Sequence, residues 1–235
     1  GGILGMVAGS VSKNEASTTL LLIDNRSGVQ ISAAEGTAGN YDFGIGRSSD
    51  DCGCACKTEE EKANGAISIA RTNGLVGEEQ RAYLRTLPAH IRLEYQLNND
   101  KLDLLLVHGS PRKINEYLFE DRDERSMMRI LEGAGADILC FGHTHKPYHR
   151  VFRCERDGRA AWRHAINIGS VGKPKDGDPR ACYAELNMPG HLSVFDKDAL
   201  GVDFIRVPYD VEKAAQGVLD ADLPKHYADA LRTAH

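Results

Sequence analysis

The stretch from Asp137 to His145 constrains the fold more than any other part of the sequence. An apolar run long enough for a buried strand ends at Gly142, and His143 and His145 follow it directly. The pattern predicts a strand of an α/β sheet with both imidazoles at its carboxyl end, where open α/β sheets bind their ligands. Because alternate side chains of an extended segment point apart, His-x-His favours two neighbouring metal ions, or one ion and its substrate, over one closed site.

Two further turns carry potential metal ligands. Leu102 to Val107 is again an apolar, strand-like run, and it leads into His108 and a turn over residues 109–111 that reads Gly-Ser-Pro. Residues 39–42 read Gly-Asn-Tyr-Asp and offer an amide oxygen and a carboxylate. Such a mixture of oxygen and nitrogen donors suits Mn, Fe or Zn.

Taken in chain order, the three turns resemble the last three metal motifs of the calcineurin-like metallophosphoesterases. The matching residues are 39–42 (GNYD), 107–111 (VHGSP) and 142–145 (GHTH), and Asn167 to Arg180 resembles the stretch that follows them in small prokaryotic members. The resemblance runs from about Gly39 to the C-terminus. It implies a layered α/β/β/α sandwich of two mixed sheets flanked by helices, and hydrolysis of phosphate esters by a metal-bound hydroxide.

The resemblance also assigns metal ligands residue by residue. Asn40, His108 and His143 would hold one divalent ion, and His145 would hold another. The ion would be Mn, Fe, Zn or Ni. The intact family site holds two ions, but His145 alone cannot retain the second, so we expect this chain to bind at most one ion tightly.

Two residues are predicted to meet the substrate. Tyr41 stands where family members often carry a histidine that protonates the leaving group, which makes it the candidate catalytic residue. A phenol with a pKa of about 10 is a poor acid near neutral pH, so either substrates with good leaving groups or protonation of the leaving group by water is favoured. Arg112 follows the second motif and could bind a substrate phosphate, but an ordinary solvated turn explains it equally well.

The first 38 residues depart from the family pattern. Gly, Ala, Ser and Thr make up 19 of them, and residues 18–24 are the one clear strand candidate. The family's opening Asp-x-His and Gly-Asp-x-x-Asp motifs are missing, since the nearest approach is Asp24-Asn-Arg26. Residues 25–38 are too few for a second motif, because one βαβ unit takes about 30 residues. We therefore predict an atypical or truncated N-terminal segment over 1–38 and a metallophosphoesterase-like domain over 39–235.

Two functional hypotheses stay open at this point. The first is metal-dependent hydrolysis of a phosphodiester or phosphomonoester, with a phosphorylated small molecule or a nucleotide as the substrate. The second is a catalytically impaired module of the same fold that acts in protein interaction. A purely structural zinc protein would need a closed four-ligand site and would leave the stretch from Asn167 to Arg180 unexplained.

Composition narrows the partners and the compartment. A net charge of −5 over 235 residues argues against a broad basic surface for stable nucleic-acid binding. No apolar run approaches the roughly 20 residues of a membrane span, so we predict a cytoplasmic protein. The sequence leaves the oligomeric state open, with a homo-oligomer among the alternatives. Cys52, Cys54 and Cys56 alternate in a loop, where reduced thiols fit better than a soft-metal cluster because structural zinc sites prefer Cys-x-x-Cys spacing.

The remaining periodicity predicts a strand hairpin, a β-α-β crossover and then a second sheet. The predicted helices are 58–73, 77–87, 123–132, 210–219 and 226–231, and the predicted strands before the crossover are 91–97 and 102–107. The strands assigned to the second sheet are 151–154, 161–168, 182–186, 191–195 and 202–207.

Overall fold

The computed structural model describes residues 2–8, 18–24, 30–36, 59–86, 88, 90–97, 100–189 and 191–235. These ranges contain ten strands and five helices. In chain order they are β1 (Gly2–Ala8), β2 (Thr18–Asp24), β3 (Gln30–Gly36), α1 (Glu59–Leu75), α2 (Glu78–Thr86), β4 (His90–Leu97), β5 (Asp100–Val107), α3 (Glu124–Ala134), β6 (Ile138–Phe141), β7 (Tyr148–Arg156), β8 (Arg159–Asn167), β9 (Ala181–Met188), β10 (Gly201–Val207), α4 (Val211–Asp220) and α5 (Lys225–Thr233).

One sheet is mixed and has the strand order β4-β5-β6-β8-β7. β6 pairs in parallel with β5 on one side and with β8 on the other, while β4 and β7 are antiparallel edge strands. All four residues of β6 are buried, as expected for a central parallel strand covered on both faces. The predicted crossover from β5 through α3 to β6 is therefore confirmed, and it brings the carboxyl ends of β5 and β6 to the same edge.

The second sheet has the order β10-β9-β1-β2-β3, and each of these pairings is antiparallel. The prediction of one strand in the first 38 residues was wrong, because β1 and β3 flank β2. β1 runs against β9 from Gly2↔Met188 to Gly5↔Glu185. Pairing with such neighbours gives strand structure to a glycine-rich segment whose own pattern is weak. The domain boundary at residue 38 stays a prediction, although the β1–β9 pairing crosses it.

The two sheets face each other across an apolar core, and helix α3 covers the outer face of the mixed sheet. Successive residues of β5 show the two layers, because Leu104 packs between the sheets and Leu105 packs under α3. Met127 of α3 is fully buried in the outer layer, where its flexible side chain fills the core. This layered α/β arrangement agrees with the predicted fold class.

The assignment of all strands after residue 150 to one second sheet was wrong. β7 and β8 belong to the mixed sheet, and only β9 and β10 join the other. Residues 191–195 are turns rather than a strand. Their apolar alternation reflects burial of Leu192 and Val194 in the core between the sheets, and a single bond from Trp162 N to Val194 O (2.8 Å) joins them to β8.

Helix α3 begins at the predicted Asp123 cap but continues to Ala134, beyond the predicted end at residue 132. The Asp123 carboxylate accepts a bond from the backbone N–H of Ser126 (2.9 Å), and Gly135 closes the helix with a left-handed φ of 63°.

None of the described helices is both long and apolar enough to cross a bilayer.

Candidate metal centre and active site

The loops that follow β5 and β6 meet at the carboxyl edge of the mixed sheet. The backbone N–H of Gly142 donates to the carbonyl of His108 at 2.9 Å, which joins the two loops directly. Gly109 is required in the first loop, because a Cβ there would collide with the backbone carbonyl of Ile114. These local constraints bring His108 and His143 to the same point although 35 residues separate them.

His108 and His143 present one ring nitrogen each to the same small volume. Nε2 of His108 lies 3.1 Å from Nδ1 of His143, and the two rings meet edge to face at 69°. Two nitrogens bound to one tetrahedral ion at about 2.0–2.1 Å would lie about 3.3 Å apart. The observed separation is therefore close to that of two ligands sharing one ion.

The surroundings of His143 favour a neutral ring. The side chain is buried, and burial lowers the pKa of His143, an effect that Lys175 reinforces and the backbone of Asn115 partly offsets. Its Nε2 makes no hydrogen bond within the described part of the chain. A buried imidazole with an unsatisfied nitrogen is costly, so this ring favours a further polar group or ion at the site.

His145 is held in one tautomer by a backbone carbonyl. Its Nδ1 lies 2.6 Å from the carbonyl oxygen of Lys173, which can only accept, so Nδ1 carries the proton and Nε2 keeps a free lone pair. Burial, followed by the charge of Lys175, lowers the pKa of His145 to about 4. Orientation of this kind is typical of histidines that bind metals through the other nitrogen.

The backbone of the GHTH loop is not extended, and this corrects one premise of the sequence analysis. His143 and His145 have φ values of 64° and 60°, in the left-handed region that residues other than glycine rarely adopt. The loop turns because the N–H of Thr144 bonds back to the carbonyl of Gly142 (2.7 Å). The strand alternation invoked for His-x-His therefore does not apply, and two separate ion positions stay a prediction from the family resemblance.

Asn167 stabilises this strained loop through side-chain hydrogen bonds. Its side chain is fully buried at the end of β8, and Nδ2 donates to the Gly142 carbonyl (2.9 Å) and to Oγ1 of Thr144 (2.8 Å). Its Oδ1 accepts from the N–H of Gly169 (3.0 Å). Gly169 itself has a φ of +76°, and a Cβ there would lie 2.9 Å from Sγ of Cys182. Sequence analysis selected the stretch from Asn167 onward but not this bracing role.

The loop after β8 covers His145 and is held by the C-terminal helix. The Lys175 N–H donates to the His145 carbonyl (3.1 Å), and the Lys173 ammonium lies 4.9 Å from the ring centre of Tyr227 in α5. Burial, reinforced by Lys175, lowers the pKa of Lys173 to about 8. Two lysines thus raise the positive potential beside His145, which suits an anionic substrate.

Arg112 occupies an exposed turn beside His108. Its guanidinium pairs with the carboxylate of Glu116, which also accepts from Ser110 Oγ (2.5 Å) and from Arg122 (3.2 Å). The surrounding donors lower the pKa of Glu116 despite partial burial, which acts in the opposite direction. The pairing gives Arg112 a structural role in the turn, and its contact with a substrate phosphate stays a prediction.

Two aromatic residues beside the histidines were missed by the sequence analysis. The ring of Tyr117 lies 4.2 Å from that of His143, and Phe119 stacks on Tyr117 with a centroid distance of 5.6 Å and an interplanar angle of 7°. No motif marks these residues. Only the alternation of Tyr117, buried Leu118 and Phe119 could have shown that the two rings share one side of the chain.

A separate histidine pair gives the fold a predicted pH dependence. Nε2 of His149 lies 2.9 Å from Nδ1 of buried His164, and burial, then His149, lowers the pKa of His164 from 6.5 to about 4. Below about pH 6.5 the unfolded chain binds this proton more readily than the folded chain. Stability should therefore be complete above pH 6.5 and fall toward pH 4, by up to about 1.4 kcal/mol per pH unit for each such histidine.

Urea unfolding at about pH 7, 6 and 5 measures this effect. His164→Asn is the matched variant, because the amide replaces the hydrogen-bonding nitrogen without titrating. It should reduce the slope of unfolding free energy against pH between about pH 6 and 5. An identical slope in the variant and the parent would contradict the assignment.

The described residues supply part of the donor set that a metal ion needs. They contain no group of three or more His, Cys, Asp and Glu side chains arranged around one position. Asn40, the predicted third ligand, and Tyr41 lie outside the described residues, as do Cys52, Cys54 and Cys56. His108 Nε2 and His143 Nδ1 are close enough to share one ion. The ligand roles of these two residues and of His145 remain predictions.

Comparison with known proteins identifies the family. Residues 25–189 match the calcineurin-like phosphoesterase superfamily domain. The uncharacterized protein MJ0912 of Methanocaldococcus jannaschii is 27% identical over 203 residues, which cover 82% of this chain and 72% of that protein. The crystal structure of a metallophosphoesterase from Sphaerobacter thermophilus aligns with a TM-score of 0.57 and 25% identity, over 84% of this chain and 75% of that one.

A more distant structure shows the same fold. The hypothetical protein PH1004 of Pyrococcus horikoshii OT3 aligns with a TM-score of 0.55 and 20% identity, over 84% of this chain and 71% of its own. The layered sheets and the match over residues 25–189 together define a protein of the phosphoesterase class. The chain belongs to the calcineurin-like phosphoesterase superfamily.

Proposed function

We propose that this chain hydrolyses phosphate esters with a divalent cation held by His108, His143 and Asn40. The observation that carries the proposal is the separation of 3.1 Å between His108 Nε2 and His143 Nδ1, at the joined carboxyl ends of two parallel strands. Family membership supports phosphoester hydrolysis in general. When bound, a divalent cation lowers the pKa of a water molecule and neutralises charge on the phosphate.

The chain's own residues would supply binding, orientation and charge. Because Nδ1 of His145 donates to the Lys173 carbonyl, the lone pair of the ring is on Nε2. Nε2 can therefore meet a second cation or the substrate. Lys173 and Lys175 attract a phosphate dianion to this edge of the sheet. Asn167 fixes the positions of both histidines before the substrate arrives, and such preorganisation lowers the cost of binding.

The test is hydrolysis of 4-nitrophenyl phosphate and of bis(4-nitrophenyl) phosphate with added Mn²⁺, with metal content measured on the same preparation. Turnover that depends on the metal and is lost after chelation would support the proposal. Comparison of the monoester and the diester assigns the substrate class. Tight metal binding without turnover of either ester would instead support the impaired module that acts in protein interaction.

Tyr41→Phe should have a mild effect on this hydrolysis. A phenol titrates far above neutral pH, so it donates a proton poorly to the leaving oxygen, and we expect the rate to fall by less than about 10-fold. Steady-state kinetics with 4-nitrophenyl phosphate measures the change. General acids contribute roughly 100-fold or more, so a loss of that size in Tyr41→Phe would show that the phenol does act as the acid.

A further inference from the structure

The rings of Tyr117 and Phe119 form an aromatic ledge that leads from the candidate metal centre to the protein surface. Tyr117 contacts His143 with a ring distance of 4.2 Å, and Phe119 stacks almost parallel on Tyr117. Phe119 is 45% exposed. A single exposed apolar residue needs no explanation, but this ring continues a stack that begins at a candidate metal ligand.

The backbone beneath the aromatic ledge is fixed by side chains of the edge strand β7. The Tyr148 hydroxyl donates to the Leu118 carbonyl (2.9 Å), and Arg150 donates to the carbonyls of Glu120 (2.8 Å) and Arg122 (2.5 Å). Leu118, which lies between Tyr117 and Phe119 in the sequence, is fully buried. The ledge is therefore preorganised, and a ligand that stacks on it need not order the loop.

We infer that the aromatic ledge binds the nucleobase of a nucleoside phosphate whose phosphate ester lies at the histidines. This inference rests on the proposed function, because it assigns the leaving group of that reaction. Every nucleobase presents a flat π-face, and stacking on an aromatic side chain is a general way to bind it. Because Phe119 is 45% exposed, a base could extend the stack outward from its ring.

The spacing of the ledge favours a nucleotide over a simple aryl phosphate. The exposed ring of Phe119 lies two ring steps from His143, at 4.2 Å and then 5.6 Å. A ribose between the phosphate and the base supplies such a spacer, whereas the ring of an aryl phosphate is attached to the ester oxygen and would stay beside Tyr117. The exposed carboxylates of Glu120 and Asp121, which follow Phe119, can accept hydrogen bonds from sugar hydroxyls or base amino groups.

The test compares two ligands that share a phosphate monoester and differ in the base, AMP and ribose 5-phosphate. Binding to the full chain with Mn²⁺ is measured by calorimetry, and hydrolysis of both esters is measured in parallel. AMP should bind about 5- to 100-fold more tightly than ribose 5-phosphate, as expected for one stacked base. Phe119→Ser should bring this ratio close to one, while Phe119→Trp should keep it. Tyr83→Ser is the matched control, since Tyr83 is an equally exposed ring (45%) on helix α2, and it should leave the ratio unchanged.

The outcomes separate this inference from the proposed function. Equal affinity for AMP and ribose 5-phosphate, or an unchanged ratio in Phe119→Ser, would overturn the nucleobase site even if both esters are hydrolysed. Selective binding of AMP that depends on Phe119, without hydrolysis of either ester, would support the ledge and overturn the proposed hydrolysis. If Phe119→Ser weakened the binding of 4-nitrophenyl phosphate as much as the binding of AMP, the assignment of a nucleotide would be wrong.

Discussion

Replacing His143 with alanine should remove tight binding of a divalent cation and abolish hydrolysis of phosphate esters. His143 Nδ1 and His108 Nε2 lie 3.1 Å apart, so loss of either imidazole leaves the proposed site with one of these two nitrogens. Groups that only orient a ligand are worth about 10- to 100-fold in metal affinity, so we expect loss of the ligand itself to exceed about 100-fold. Calorimetric titration with Mn²⁺ measures the change, and His108→Ala should behave in the same way.

The matched control is His191→Ala, which removes an exposed imidazole from a turn outside the site. It should retain the metal affinity and the turnover of the parent chain. Circular dichroism of all three variants establishes that they remain folded. Full metal content in His143→Ala or in His108→Ala would rule out this site.

Asn167→Ala should destabilise the protein by about 3 kcal/mol or more and weaken metal binding with it. The substitution removes three hydrogen bonds from a fully buried position. The Gly169 N–H loses its acceptor, whereas the Gly142 carbonyl still accepts from the Thr144 N–H and Thr144 Oγ1 still accepts from the Lys146 N–H. A lost hydrogen bond costs about 0.5–1.5 kcal/mol, and a buried donor left without an acceptor costs about 1–3 kcal/mol. Without these bonds the left-handed conformations of His143 and His145 lose their support. Urea unfolding measures the stability, and Mn²⁺ titration of the folded variant measures the affinity.

The pH dependence of the stability of Asn167→Asp gives a second test, because its direction can be predicted. The carboxyl group keeps the acceptor for Gly169 but places an oxygen against the Gly142 carbonyl, so burial and repulsion should raise its pKa in the folded state. Its stability contribution is then present at low pH, where the carboxyl is protonated, and is lost as pH rises through the folded pKa. The variant should therefore differ least from the parent at acidic pH. A difference that grew as pH fell would contradict the bracing role.

The sequence predicted the elements that carry the site better than the conformation of the site itself. Apolar runs ending in His108 and in Gly142-His143 identify two central strands, and the structure places the two imidazoles side by side. Strand periodicity carries no information about φ, so the left-handed turn at His143 and His145 was not foreseen. It depends on hydrogen bonds from Asn167, a residue of a different strand.

Other features were hidden because tertiary neighbours determine them. β1 and β3 lack a strong strand pattern and are stabilised by pairing within the sheet that contains β9. Residues 191–195 alternate like a strand because of burial alone. Nothing in the sequence marks Phe119, whose position depends on the bonds that Tyr148 and Arg150 make to the backbone on either side of it.

X-ray absorption spectroscopy of the Zn²⁺-loaded chain tests the central claim most directly, since it reports the ligands of the ion whether or not a substrate is turned over. We predict an inner shell that contains imidazole nitrogens at about 2.0–2.1 Å, with the outer-ring scattering of at least two histidines. In His143→Ala the histidine contribution should fall by one. A shell made only of oxygen ligands, unchanged in His143→Ala, would contradict the account.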